Sequence, residues 1–492
     1  MNRRRQALLA VSATLAGCFA LAAPASPLPG GPLQPVPSEF ARLVDPPVVF
    51  PVLPARPEAA LAEAASALGD ALGADLRPAP AIAAARLPAD VTGRLALLTA
   101  GLLDCYRAAA PARALMDAPW MGGDLANPAS QRLAETLPVL TRTATMLRAC
   151  AVHLQSLALE TARSLPASPA AESEGLDLWP VLRYSPGSTS DRYLHDYALL
   201  VDEGGDDLYL NNAGGSLLDI YRGPVNAIER APARGCHSAT PGFLFVEKMQ
   251  CVMGVALLID QSGNDTYGAR EAPDPSDDGF CTRDPLVRRI GLAGAGLAGV
   301  GILVDSAGND HYVGKTRSQG SGHGAGVGIL RDDGGDDSYL AIRNAQGAGG
   351  LAGFGLLRDE GGDDHFDRYM PTPLDPEAGY QRPGSGGVFD DKGQCDALPR
   401  QLQGVGFLPG AIGLLVNLGG EDDYRGAAPA IQHFDPGLPP FAHGSQGYGA
   451  MGGFGFLSDK GGADNYLEVP GRADGKTINP TPDSAGLFED DG

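Results

Sequence analysis

The chain has 492 residues, too many for one ordinary domain, with 68 Gly, 41 Pro and a formal charge of -22. That charge excludes nucleic acid as a partner, because phosphate neutralisation needs a basic face. It suits a cation, a basic partner or plain solubility.

Residues 1–25 read as a secretory signal. "MNRRRQ" is a basic start, and "ALLAVSATLAG" is an apolar stretch too short to span a bilayer. Two processing routes are open. "LAGC", Leu15 to Cys18, looks like a bacterial lipobox, which would acylate Cys18 and tie the chain to a membrane. Cleavage after the small residues between Ala20 and Ala25 would release it instead. Either route places the chain in the bacterial cell envelope or outside the cell, and lipidation makes the outer membrane a candidate address. Six further cysteines, an even number in an exported chain, suggest three disulfides. Cys105 and Cys150 stand alone in the first half and are expected to pair. Cys236 with Cys251, and Cys281 with Cys395, are weaker pairings. No cysteine or histidine cluster has zinc spacing.

Residues 26–56 are Pro-rich and read as a tether. Residues 57–165 carry helical patterning. "PEAALAEAASALGDALG" opens on Pro57, a good first-turn residue. "ADVTGRLALLTAGLLDCYRAA" has Asp90 as a candidate N-cap. A third stretch spaces Leu133, Leu137 and Leu140 by three and four, with Pro138 expected to kink or split it. A small helical domain clipped by Cys105–Cys150 is predicted. Residues 166–195 read as a linker, and residues 196–492 as a repeat domain.

The repeat is an apolar run, an Asp, two residues, a Gly, one residue, a second Asp, one residue and an aromatic. "VGILVDSAGNDHY", "VGILRDDGGDDSY" and "FGLLRDEGGDDHF" are three consecutive copies, 27 residues apart. The first carboxylates are Asp202, Asp260, Asp305, Asp332, Asp359 and Asp459, with Asn417 standing in once. Degenerate copies align at Asp390 and Asp490. "QGxG" precedes several copies, at Gln319, Gln346, Gln403 and Gln446. Each unit is too short to bury its own core, so neighbours must stack. Three short strands account for about 27 residues. The expected fold is α + β: a small helical N-terminal domain followed by a parallel β-solenoid, β-helix-like, of about 27-residue repeats. A β-propeller is the runner-up, although its blades need roughly 40 residues or more. Gly353 and Gly355 share one strand face. There they either form a flat surface on which the helical domain docks or relieve crowding at a bend.

Stacked copies would put Asp332 over Asp359 and Asp337 over Asp364. Bare carboxylates at the strand spacing repel by roughly 1 kcal/mol per pair in water, and by more at lower dielectric. Backbone amides or a bound cation could offset this. "SAGNDHYVG" and "QSGNDTYGA" resemble the Gly/Asp nonapeptide of RTX calcium-binding β-rolls. The resemblance implies Ca²⁺, with Asp265, Asp310, Asp337 and Asp364 as matching ligands and Asp207, Asp422 and Asp464 as less complete ones. The leading Asp260, Asp305, Asp332 and Asp359, which have no counterpart in that family, complete the candidate metal set. RTX repeats recur every nine residues rather than every 27.

Tyr209, Tyr267, Tyr312, Tyr339, Phe366, Tyr424 and Tyr466 form a second column, read as stacked interior rings or as a carbohydrate-binding stripe. No nucleophile elbow, P-loop, dinucleotide fingerprint or HExxH motif occurs. Among the scattered histidines, His323 is flanked by glycines and is a candidate for exposure, and His433 and His443 sit in the insertion "AIQHFDPGLPPFAHGSQG"; each reads as a turn or surface residue before a catalytic base. The expected function is that of an exported, lipid-anchored, non-enzymatic envelope protein with a structural or adhesive role, meeting a membrane, a glycan or an envelope protein. The alternative is a carbohydrate-active β-helix enzyme using carboxylates on adjacent coils as acid and base.

Overall fold

The computed structural model describes residues 40–116, 131–165, 175–218, 220, 252–268, 291–314, 317–341, 344–368, 403–425, 446–447, 449–450, 453–460, 462–467 and 485–490. The signal segment with Cys18, and the pairings Cys236–Cys251 and Cys281–Cys395, lie outside these.

Among the described residues six helices precede the sheets: α1 (Ala41–Val44), α2 (Pro57–Leu72), α3 (Pro78–Ala85), α4 (Ala89–Ala108), α5 (Ala110–Met116) and α6 (Gln131–Ser164). Pro57 starts α2, and Gly73 ends it in the left-handed conformation, with its N–H on Asp70 O. Leu61, Ala65, Leu68 and Leu72 are buried at helical spacing. Asp90 falls in the first turn of α4 rather than at its cap. Pro88 holds the cap position and makes no side-chain cap. α6 runs unbroken through Pro138, so the expected split does not occur. Packing of its later turns on α4 and the Cys105–Cys150 disulfide, with Cα atoms 5.7 Å apart, hold it. Among the described residues, no helix is long and apolar enough to cross a membrane.

Most of the remaining described strands build three parallel ladders visited in rotation, and Leu217–Leu218 pairs antiparallel with Val252–Met253. In one repeat Gly322–His323 enters a five-stranded sheet, Val327–Asp332 a ten-stranded sheet and Ser338–Ala341 an eight-stranded sheet. The next repeat enters the same three sheets at Gly349–Gly350, Phe354–Asp359 and His365–Arg368. Val327 pairs with Phe354, Tyr339 with Phe366 and Gly322 with Gly349, so every position is displaced by the 27-residue period. The QGxG stretches therefore lead into the five-stranded sheet.

Two details depart from the sequence reading. Strands begin at Leu176, inside the stretch read as a linker. Leu182–Ser185 pairs in parallel with Leu199–Asp202, and Tyr193 with Tyr209, which adds an early coil. An antiparallel strand, Leu176–Leu178, closes that edge. Further on, Phe354 pairs directly with Ile412, and the copy aligned at Asp390 lies outside the described residues. The copy at Asp490 does join the ladder, opposite Asp459.

Strand alternation in the ten-stranded sheet divides two cores. Val300, Ile302, Val327, Ile329, Phe354 and Leu356 face the helices and share one cluster with Leu95, Leu98, Leu147 and Leu154. Leu258, Leu303, Leu330, Leu357 and Leu415 point the other way, onto the aromatic column. The helical domain thus docks on the apolar face, not on the glycine face. Gly355 points inward, where an added Cβ would stand 2.4 Å from Ala348 O. The residues read as a tether are also engaged from Phe40 on: the Phe40 ring lies 5.9 Å from that of Phe354.

Candidate functional site: a buried carboxylate and tyrosine column

Each repeat turns from the ten-stranded to the eight-stranded sheet through its acidic segment. The first Asp ends a strand and caps the turn with Oδ1. Gly334 N–H donates to Asp332 Oδ1 and Gly361 N–H to Asp359 Oδ1, both at 2.9 Å. The next glycine has no alternative residue: Gly362 has φ +143°, and a Cβ there would meet Gly335 O at 1.4 Å. The one-glycine rule in the repeat is therefore a contact between coils.

The second Asp reaches back one coil. Asp310 N–H donates to Asp337 Oδ1 at 2.6 Å, Asp337 N–H to Asp364 Oδ1 at 2.8 Å and Asp364 N–H to Asp422 Oδ1 at 2.7 Å. Asp207 and Asp265 N–H groups do the same with Asp265 and Asp310. Asp422 N–H continues the series to Asp464 Oδ1 at 3.0 Å. Turn amides thus take one oxygen of almost every carboxylate in the two columns.

The remaining oxygen of the first Asp accepts a phenol from the preceding coil. Tyr312 donates to Asp332 Oδ2 and Tyr339 to Asp359 Oδ2, both at 2.6 Å. Tyr193, Tyr209 and Tyr267 hold Asp202, Asp260 and Asp305 in the same way. The rings stack from Tyr193 through Tyr424 with centroids 4.7–4.8 Å apart, set by the strand spacing. Tyr209, Tyr267, Tyr312, Tyr339, Phe366 and Tyr424 are fully buried, so these rings form an interior column and present no stripe to a glycan.

Burial dominates the electrostatics. It pushes the carboxyls of Asp260, Asp305 and Asp332 above the usual range, and neighbouring carboxylates push Asp260 and Asp305 further. Asp265, Asp310, Asp337, Asp359 and Asp364 move in the same direction, again led by burial. Within a coil the two carboxyls lie close together: Asp260 and Asp265, Asp332 and Asp337, and Asp359 and Asp364 each bring oxygens within 4.8 Å. As two carboxylates neither could donate, and Oδ2 of Asp265, Asp337 and Asp364 is buried without a donor. A proton on one member turns the contact into a hydrogen bond. One coil carries this donor permanently: Asn417 replaces the first Asp, and its Nδ2 donates to Asp422 Oδ2 at 2.8 Å.

The same oxygens could instead hold a metal ion. Asp207, Asp260 and Asp265 place carboxylate oxygens within 4.8 Å of one another. So do the sets Asp265/Asp305/Asp310, Asp310/Asp332/Asp337, Asp337/Asp359/Asp364 and Asp422/Asp459/Asp464. All eight predicted metal residues fall in these groups. The donors are hard oxygens and suit a hard cation in kind.

Other expectations change. His323 is buried, only 8% exposed, and burial pushes its imidazole well below its ordinary value. His433 and His443 lie outside the described residues. The sequence reading missed Asp191 and Tyr193, which extend the columns by one coil: Asp191 N–H donates to Asp207 Oδ1. The "DRY" spacing at 191–193 matches the repeat's Asp-x-aromatic and was the available signal. It also left unused the Gln column, in which Gln319, Gln346 and Gln403 donate Nε2 to the carbonyls of Tyr312, Tyr339 and Phe366.

Compared with protein-family models, curated proteins and solved structures, the chain matches none.

Proposed function

We propose that the chain is a β-solenoid, exported and lipid-anchored at Cys18, that serves the cell envelope as a non-enzymatic structural or adhesive scaffold. The observation that carries this reading is the orientation of the repeated carboxylates. Asp260, Asp265, Asp305, Asp310, Asp332, Asp337, Asp359 and Asp364 are all buried and engaged by amides or phenols of neighbouring coils. An acid–base pair for glycoside cleavage must reach a substrate. These side chains instead join coil to coil, and they recur in register wherever the repeat recurs.

Removing one whole period tests the solenoid. Deletion of residues 306–332 joins Asp305 to Asp333 in phase and should leave a folded chain with unchanged strand signal by circular dichroism. Collapse to an unfolded or aggregated product would count against stacked, independent coils. Turnover of any acidic or neutral polysaccharide by the purified chain would overturn the non-enzymatic part. The intact mass of the exported protein reads the anchor: a diacylated or triacylated Cys18 supports it, and an N-terminus between residues 21 and 26 removes it.

A second reading has its own observation. The buried, donor-less Oδ2 atoms of Asp207, Asp265, Asp310, Asp337 and Asp364 point to a shared electropositive partner, and Ca²⁺ is the cation the RTX-like turns suggest. Equilibrium dialysis, and melting with Ca²⁺ against chelator, test it. No bound calcium and no shift in melting temperature would leave the protons and amides alone as the neutralising groups.

A further inference from the structure

Residues 46–54, "PPVVFPVLP", cross the helical domain between α1 and α2 without regular secondary structure. One side of this strap is fastened. Val49 packs on the main core. Leu53 and Pro54 lie on α4, where a Cβ added at Gly93 would meet Leu53 Cβ and Pro54 Cδ at 3.4 Å. Just before the strap, Arg358 donates to Val44 O at 2.6 Å and pairs with Asp45, tying the segment to the ten-stranded sheet.

The other side is open. Val48 is 63% exposed, Phe50 85% and Val52 90%. Among the described residues only Met146 joins them as an exposed large hydrophobic. Isolated exposed apolar residues need no explanation, but three in strict alternation on a fastened segment form a row. Pro46, Pro47, Pro51 and Pro54 restrict the backbone, so the row is presented rather than free to fold back.

We infer that Val48, Phe50 and Val52 insert into the interfacial region of a lipid bilayer. Arg42 and Arg56 are exposed at the two ends of the strap and can meet lipid phosphates, in a chain whose charge of -22 otherwise opposes an anionic surface. Cys18 precedes Phe40 by 22 residues, so the strap follows closely on the candidate anchor. An inserted apolar row adds a contact with the bilayer that does not depend on the acyl chains. The inference rests on the envelope reading for its location. Its test does not depend on acylation, which the intact mass reports separately.

The test uses the full processed chain carrying Phe50→Trp, with the unsubstituted protein as background for the native tryptophans. It is mixed with phosphatidylethanolamine–phosphatidylglycerol vesicles. A blue-shifted Trp emission that brominated acyl chains quench is expected, with amide exchange at 46–54 slowed by about tenfold or more on vesicles. Adding Val48→Ser and Val52→Ser should abolish the quenching while leaving the melting temperature unchanged. Unshifted emission on vesicles would overturn the inference. So would a blue shift without lipid that grows with protein concentration, since that would assign the row to a second copy of the chain.

Discussion

Phe366 stands one coil before Asn417, at the place from which Tyr339 donates to Asp359 Oδ2 at 2.6 Å. The two departures from the repeat are therefore one change. Where the carboxyl becomes an amide that already donates to Asp422, the preceding ring has no hydroxyl to offer. Tyrosine and first aspartate behave as a unit that spans two coils.

The pair can be transplanted. Tyr339→Phe alone removes a buried donor from Asp359 and should cost about 1–3 kcal/mol. Asp359→Asn alone should also destabilise, because it sets an amide donor against the Tyr339 hydroxyl. The double variant reproduces Phe366 and Asn417 and should recover at least about 1 kcal/mol relative to the sum, measured by urea unfolding. Strict additivity would show that the two residues are not coupled.

The buried carboxyls also set the sign of the pH dependence. Their folded pKa values lie above the unfolded value, chiefly through burial, as for Asp260, Asp305 and Asp332. The folded state therefore holds protons that the unfolded state has released. This stability is fully present below about pH 4 and is lost as pH rises through the folded pKa values. In chelator, the melting temperature should fall from pH 4 to pH 9, and Asp332→Asn should flatten the curve. A rising curve, as for carboxylates held by salt bridges, would contradict protonated pairs.

Gly355 separates crowding from flatness as the reason for the glycine face. Gly355→Ala would place a Cβ 2.4 Å from Ala348 O and 2.6 Å from Gly347 O, backbone atoms of the QGxG stretch in the same repeat. A loss of about 3 kcal/mol or more is expected, read as a large drop in unfolding midpoint or as insoluble product. A fully stable variant would show that the interior can open.

The disulfide belongs to the helical domain. Cys105 and Cys150 close a separation of 45 residues between α4 and α6. Replacing both with Ser should cost about 2–4 kcal/mol in thermal or denaturant unfolding. The Trp179 environment, which is in the sheet region, should change little before the helices melt. Simultaneous loss of both signals at unchanged midpoint would show that the bridge is energetically silent.

Much of this architecture was legible before any coordinates. The 27-residue interval, the alternation of Ile329 and Leu330, and the matching Asp and aromatic positions pointed to repeats that pair in register through parallel strands, because each unit is too short to bury its own core. The lone Cys105 and Cys150 named their own disulfide. The coil at 182–193 escaped because Ser185 replaces the first Asp, which removed the strongest mark of the repeat. Which face receives the helices, which oxygen meets which amide, and why Phe366 and Asn417 change together were decided only by the tertiary structure. All three depend on contacts between residues one coil or several hundred positions apart, whose distances the order of residues along the chain does not contain.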